Sequence, residues 1–522
     1  MQADGGSIPG DIATVQGAMA DRRQPRRWNV RNFLLFLWIF LAVALLVGSW
    51  SLSTPLGASP DAPSNVNQAA AAVRGQLDNA QVISPFGKVG VVRIPKWASN
   101  EQPECFYLRS SVPAGCSPSI GTNTRTVQAF TQFGHYPPLY YLIVGVPTLL
   151  AIGSGALYGM QLTGALVDAA FIALGLFLLA RYHPRRLPLL GALVALAPMV
   201  LFVGAVVNSS GLETAAAFAA WCGGLCVVTR KTVPLALAIL TAFAFFFLIL
   251  SRPLSPVNAV VILVVLGVTG GWSRTRELLH DPNVRLIWAS AVVATIVAGV
   301  SLALIGSPTL LGAGVKPPLS LAGSVWLTLR HTGGRLGQLI GNFGWLDTPV
   351  PSGVIAIWTS AVVGLLAYGA VASRVGRRAL PLLALAILAM PVVFESPRVN
   401  TVGPYWQARY WLPLAVGLPL VATSIVPVKR IAKAVPPMVQ LVGSVVAGTA
   451  LAVAQIAAFL TALHRYETGL GAKPGTPVVW TPPGGTTLVV SLFVAGEILL
   501  VGLVAWRYLE KKGSPVPLAQ PT

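Results

Sequence analysis

Apolar residues gather in twelve blocks along the chain, at 32–50, 156–180, 187–207, 211–228, 232–250, 256–271, 286–306, 353–371, 379–394, 410–426, 438–463 and 487–506. Each meets, or nearly meets, the roughly 17–25 mostly apolar residues that carry a helix across a bilayer. Continuous helices are expected there, because lipid offers no partner for unpaired backbone groups. A thirteenth block, 139–152, is short and follows Pro137 and Pro138. The pattern predicts an all-α integral membrane protein: a polytopic bundle of about 12 (11–13) helices with a large first outer loop.

The polar segments sort by charge. Arg22, Arg23, Arg26, Arg27 and Arg31 precede the first block, and basic groups recur around Arg181, Arg230, Arg274, Arg374, Lys429 and Arg507. These groups hold 22 of the 36 basic residues and fall at every second loop. Short positive loops belong on the cytoplasmic side, so both termini are expected there. The alternation requires 139–152 to be re-entrant or to lie at the outer surface. A net charge of +20 is thus a topology signal, and nucleic acid is not an expected partner. The first block reads as an uncleaved anchor rather than a signal peptide, since its apolar stretch is long and eleven more follow.

Residues 1–31 read as a basic cytoplasmic segment, disordered over 1–21; 32–426 as the membrane core; 427–512 as C-terminal transmembrane helices; and 513–522 as a cytoplasmic tail. Outer loop 51–136 contains an Ala-rich helix, 64–77, capped by Asp61 or Ser64, and a short alternating strand at 89–94. Outer loop 307–352 contains 321–340, where apolar residues mix with Arg330, His331 and Arg335 as in a helix lying in the interface. Cys105 and Cys116 share the first outer loop, where a disulfide fits an oxidising compartment. Cys222 and Cys226 read as small packing residues. No Rossmann, Walker or zincin motif appears, so any sugar or phosphate donor must arrive through the membrane.

Unusual polar residues collect on the outer side. Asp61, about ten residues beyond the first block, is either a base for an incoming hydroxyl or a helix cap. His135 and Tyr140 stand in a Tyr- and Pro-rich entry to the membrane, where the residues by themselves favour belt anchoring over a part in binding. Arg252 breaks the positive-inside habit, and either grips a phosphate or snorkels to headgroups. Glu395, Gln407, Arg409 and Tyr410 share one outer loop with Arg398, Tyr405 and Trp406, a mixture suited to a sugar phosphate or to an interfacial ion-pair network. Trp345 and Asp347 add an indole and an acid. Two further acids, Asp168 and Glu497, are read inside spans; buried charge there faces a cavity or a partner, and this keeps a transporter reading open.

With Ser59-Pro60-Asp61, 70–76, 135–141, 208–213, 251–253, 343–349 and 406–413 in view, the chain resembles a bacterial family of membrane proteins catalogued as domain-of-unknown-function family 2142. That family is similar to the GT-C superfamily of integral membrane glycosyltransferases. The resemblance implies a polyprenyl-phosphate-linked sugar donor, an envelope glycan or lipid acceptor, and inverting chemistry on the outer face of the bacterial plasma membrane. By position it implies that Asp61 is the catalytic base and that Arg252 and Arg409 hold the lipid phosphate. Where the family often carries Glu and His, this chain has Ala62 and Asn65, and Ala408 replaces a usual glycine. No metal-ligand set is assigned, and a divalent cation, Mg or Mn, is the one cofactor left open. The alternatives are a transporter or flippase for envelope lipids or polymers, and a non-catalytic scaffold.

Overall fold

The computed structural model describes residues 30–77, 81–84, 87–99, 105–305, 312–425 and 435–510. The expected disorder at 1–21, most of the basic segment 1–31, the boundary at 426/427 and the tail 513–522 lie outside the described residues. The chain enters through α1 (Val30–Ser53). The first outer segment then forms α2 (Ala62–Ala72), strands β1 (Gln81–Ser84), β2 (Gly87–Pro95) and β3 (Thr126–Thr131), and α3 (Leu139–Val144). There follow α4 (Gly153–Tyr182), α5 (Leu187–Ala195), α6 (Pro198–Ala205), α7 (Ser209–Thr229), α8 (Leu235–Ile249), α9 (Ser255–Gly270), α10 (Trp272–His280) and α11 (Arg285–Ile305). The remainder comprises α12 (Leu321–Arg335), α13 (Ser352–Ala372), α14 (Gly376–Phe394), α15 (Leu412–Ala415), α16 (Gly417–Ser424), α17 (Pro437–Glu467) and α18 (Thr486–Leu509).

All twelve apolar blocks are helical, but they are not twelve equal spans. Among the described residues eight helices are long and apolar enough to cross a membrane, and ten spans result if α5–α6 and α9–α10 each count as one. The shorter α8 and α15–α16 cover the other two blocks. α5 and α6 meet at 60°, with Leu196 and Ala197 between them. Backbone groups released near this break find partners from neighbours: Gln455 Nε2 donates to Leu196 O at 2.6 Å, Trp358 Nε1 to Val194 O at 2.9 Å, and Met199 N to Ile340 O at 2.9 Å. A broken helix survives at membrane depth only with such partners. α9 ends at Gly271, whose φ of 77° turns the chain through 116° into α10.

Four of the basic groups meet at one end of the bundle. Arg31 pairs with Glu510, Arg181 with Asn32, Arg230 with Tyr182 O, and Arg507 with His183 O. These contacts join the start of α1 to the ends of α4, α7 and α18, as the charge alternation requires. α3 is only six residues long, and Tyr141 within it bonds Asn65 of α2 at 3.0 Å. The 139–152 block therefore packs against the segment that follows α1, as a helix shorter than the eight long apolar ones.

In the outer segment β2 pairs antiparallel with β1 and with β3, so the expected strand is the middle of a sheet. α2 packs on this sheet: Asn67 Nδ2 donates to Phe130 O at 2.9 Å and Thr131 Oγ1 to Ser64 O at 3.0 Å. Cys105 and Cys116 form a disulfide with Cα atoms 6.1 Å apart, while Cys222 and Cys226 are buried free thiols. α12 is the expected helix of the second outer loop, with Leu321, Trp326 and Leu329 exposed and Arg335 in its last turn.

Candidate functional site

Asp61 occupies the position before α2 with φ of 66°, a left-handed conformation that Asp tolerates better than most residues. Its side chain makes no capping bond to the helix, which corrects the expected cap. An N-cap side chain normally reaches its helix from an extended backbone, and this one is turned elsewhere. The carboxylate instead pairs with Arg409, which stands in the short turn Ala408–Tyr410, 348 residues away. Arg409 Nη1 also donates to Pro60 O at 3.1 Å, and Asn208 Nδ2 donates to the same carbonyl at 3.1 Å. Burial alone would lower the Arg409 pKa, but the adjacent Asp61 carboxylate holds it above the ordinary arginine value.

The Tyr410 ring lies between two guanidinium groups, 5.3 Å from that of Arg409 and 4.8 Å from that of Arg252. Such contacts favour cations taken out of water. Arg252 is buried, so it does not snorkel. Its Nη1 donates to Glu213 Oε2 at 3.1 Å, and Ser255 Oγ and Asn258 Nδ2 donate to Glu213 Oε1 at 2.8 and 2.9 Å. Glu213 is thus a third acid inside a span, beyond Asp168 and Glu497. The arrangement is Asp61–Arg409–Tyr410–Arg252–Glu213, with two charges of each sign. Side-chain exposure falls from 27% at Asp61 to 3% at Arg409 and 1% at Glu213, so the Asp61 carboxylate is the accessible end.

Several donors beside it are unused. Nε of Arg252, Nε of Arg409 and Nε1 of Trp406 are buried with no hydrogen-bond partner among the described residues, as is Oε1 of Gln407. Buried polar atoms are nearly always satisfied, so a run of orphans invites a polar ligand.

The other anticipated residues form satellites. Glu395, fully buried, accepts from Arg335 Nη1 at 3.2 and 3.3 Å and from the backbone N–H of Trp406. Asp347 accepts from Arg465 Nη2 at 2.9 Å; Arg465 also donates to the carbonyls of Phe106, Arg109 and Val112. Trp345 Nε1 donates to Gly57 O at 3.1 Å, and its ring meets Tyr107 at 4.6 Å. His135 faces Gln81 of β1, with Nε2 atoms 2.6 Å apart. Tyr140 is 2% exposed and packs edge-on against Tyr141, so it is a core residue and not a belt anchor. Asn65 is buried; its Nδ2 donates to Asp61 O at 2.9 Å while its Oδ1 receives Tyr141. Among the described residues no three His, Cys, Asp or Glu side chains gather as a metal set.

Glu213 and Arg465 are the partners that sequence reasoning missed. The Glu213 motif 208–213 was visible, but the span was drawn from Gly211 and hid its acid. Arg465 closes α17 in sequence and carries no local signal at all.

Residues 44–418 match the model of a family described as "Predicted membrane protein (DUF2142)". Among solved structures the chain is similar to the crystal structure of ArnT from Cupriavidus metallidurans in the apo state. The identity is 14% and the TM-score 0.42, over 90% of this chain and 77% of that one. No curated protein matches the sequence.

Proposed function

The chain belongs to that family of predicted membrane proteins, and from this premise we propose that it is a membrane glycosyltransferase using a polyprenyl-phosphate-linked sugar. The reaction takes place outside the bacterial plasma membrane, with both termini cytoplasmic, in the assembly of an envelope glycan or glycolipid. The observation that carries the reading is the accessible Asp61 carboxylate backed by the buried arginines Arg409 and Arg252, at the end of the bundle opposite the basic loops.

In this reading the donor phosphate draws Arg409 away from Asp61 and meets its unused Nε–H, as a fork of donors suits a phosphate. The freed carboxylate accepts the proton of the acceptor hydroxyl. The acceptor oxygen attacks the anomeric carbon, the bond from that carbon to the phosphate oxygen breaks, and the configuration inverts. The leaving polyprenyl phosphate takes the electron pair, and its charge is stabilised by Arg409. Preorganised stabilisation of this kind is often the largest catalytic contribution. Arg252, already neutralised by Glu213, fixes Tyr410 and lends its remaining donor. Trp406 and Gln407 supply a ring face and an amide for the sugar. A divalent cation, were one bound, would be held by Asp61, the accessible carboxylate of the site, and would supply positive charge to the phosphate.

The test is transfer of labelled sugar from a panel of polyprenyl-phosphate donors by the purified protein and by Asp61→Asn. Transfer by the wild type that disappears in Asp61→Asn, with donor binding kept, supports the reading. Full transfer by Asp61→Asn removes the assigned base. Donor binding without transfer in the wild type identifies a non-catalytic scaffold, which Ala62 and Asn65 beside Asp61 would then explain.

A further inference from the structure

The lipid-facing side of α1, α4 and α8 carries a recess that the proposed chemistry does not use. It holds about 510 Å³ of empty space, part of it open to the surroundings. Phe36 of α1, Ala170, Phe171 and Phe177 of α4, and Leu240 and Phe243 of α8 line it, and no lining residue is polar. Phe36, Phe177 and Leu240 each lie within about six residues, roughly 9 Å, of the arginine-rich end of their helices. The recess therefore opens into the leaflet on that side.

Its mouth is cationic. Arg181 stands one turn beyond Phe177 on α4, and its Nε donates to Asn32 Oδ1, one turn before Phe36 on α1, at 3.0 Å. The Arg181 guanidinium lies 5.8 Å from the centre of the Tyr182 ring, and that of Arg230 lies 5.9 Å from the same ring. Tyr182 in turn meets Phe177 edge-on at 6.3 Å. Apolar wall, aromatic step and guanidinium thus follow one another from recess to rim. Arg181 is exposed, and its two Nη groups have no partner among the described residues. The exposed Lys231 follows Arg230 at the same end.

We infer that this recess is a binding site for an anionic glycerophospholipid, with an acyl chain along Phe36, Phe171 and Phe177 and the phosphate on the Nη groups of Arg181. An apolar recess disfavours a headgroup and takes a hydrocarbon chain. A guanidinium with two free donors at its rim selects a phosphate bearing net negative charge over one neutralised by an attached ammonium. The site lies at the opposite end of the bundle from Asp61, so it is separate from the donor site and does not depend on the transferase reading.

Native mass spectrometry of the purified full chain titrated with phosphatidylglycerol or phosphatidylcholine tests it. Near a membrane surface one basic residue favours anionic lipid about fivefold, and the wild type is expected to retain phosphatidylglycerol by at least that margin. Arg181→Gln is expected to abolish the preference, and Ala170→Trp, which fills the recess from its lipid-facing wall, to abolish retention of the bound lipid. The thermal midpoint of each variant in lipid-free detergent checks that it still folds. Equal retention of the two lipids by the wild type overturns the proposal, as does a preference unchanged in both variants. Displacement of phosphatidylglycerol by an equal concentration of polyprenyl phosphate overturns it too, since the occupant is then the isoprenoid lipid.

Discussion

Glu213→Gln separates a supporting role for Arg252 from a direct one. The Glu213 carboxylate is 1% exposed and receives three donors, from Arg252, Ser255 and Asn258, at 2.8–3.1 Å. The amide keeps one acceptor oxygen but turns an N–H₂ group toward the guanidinium or toward Asn258, and Arg252 loses its counter-charge while staying buried. Removing one member of a buried ion pair costs about 3–5 kcal/mol, and the retained acceptor places this change near the lower end, at about 3 kcal/mol. Replacing both members with neutral residues removes the uncompensated charge. Glu213→Gln/Arg252→Met should therefore be less destabilised than the sum of the single changes by about 2 kcal/mol. Equilibrium unfolding of the four proteins in mixed micelles measures that coupling. Donor binding in the same set reports whether Tyr410, held between Arg252 and Arg409, has lost its place. A single-variant cost below about 0.5 kcal/mol, or strict additivity, would refute the account of Glu213 as the charge that keeps Arg252 buried.

Three further outcomes are expected. Arg409→Gln should lower transfer and weaken donor binding together, whereas Arg409→Lys should recover binding in part, because an ammonium supplies the charge without the fork; kinetics with a single donor checks both. Arg465→Met removes the charged partner of Asp347 and a shared side-chain donor to three carbonyls of the Cys105–Cys116 loop, and should cost about 3 kcal/mol in the same unfolding assay. His183, at the arginine-rich end, is held neutral: burial first and Arg185 second lower its pKa from 6.5 to about 3. Its contribution is full above pH 6.5 and is lost as pH falls toward 3, because only the unfolded chain takes up the proton in that window. His183→Asn should flatten the fall in stability over that range, measured as unfolding midpoint against pH.

The helices were legible because lipid enforces a single rule, apolar length. The shortness of 139–152 was equally plain in the sequence. The breaks were less legible. Pro198 and Gly271 mark them, but whether a span bends or stops depends on donors such as Gln455 and Trp358 that come from distant helices. Of the outer sheet only 89–94 showed alternation; β1 and β3 are short and are defined by what they pair with. At the candidate site the residue types were visible and their partners were not. Asp61 and Arg409 are 348 residues apart, Asp347 and Arg465 118, and no local spacing encodes such pairs. Tyr140 was ambiguous because tyrosine near a membrane surface serves as an anchor or as core, and its burial beside Tyr141 is set by packing.

The segment shared with the family ends at residue 418, yet the chain does not complete its interior there. Gln455 and Arg465, both on α17, reach back to the broken span at Leu196 and to the outer loop around the Cys105–Cys116 disulfide. This one helix thus acts as a brace, tied at its middle to the broken span and at its last turn to the disulfide loop. A chain cut where the family match ends would lose both donors, and with them the ties from α17 to the broken span and to the Cys105–Cys116 loop.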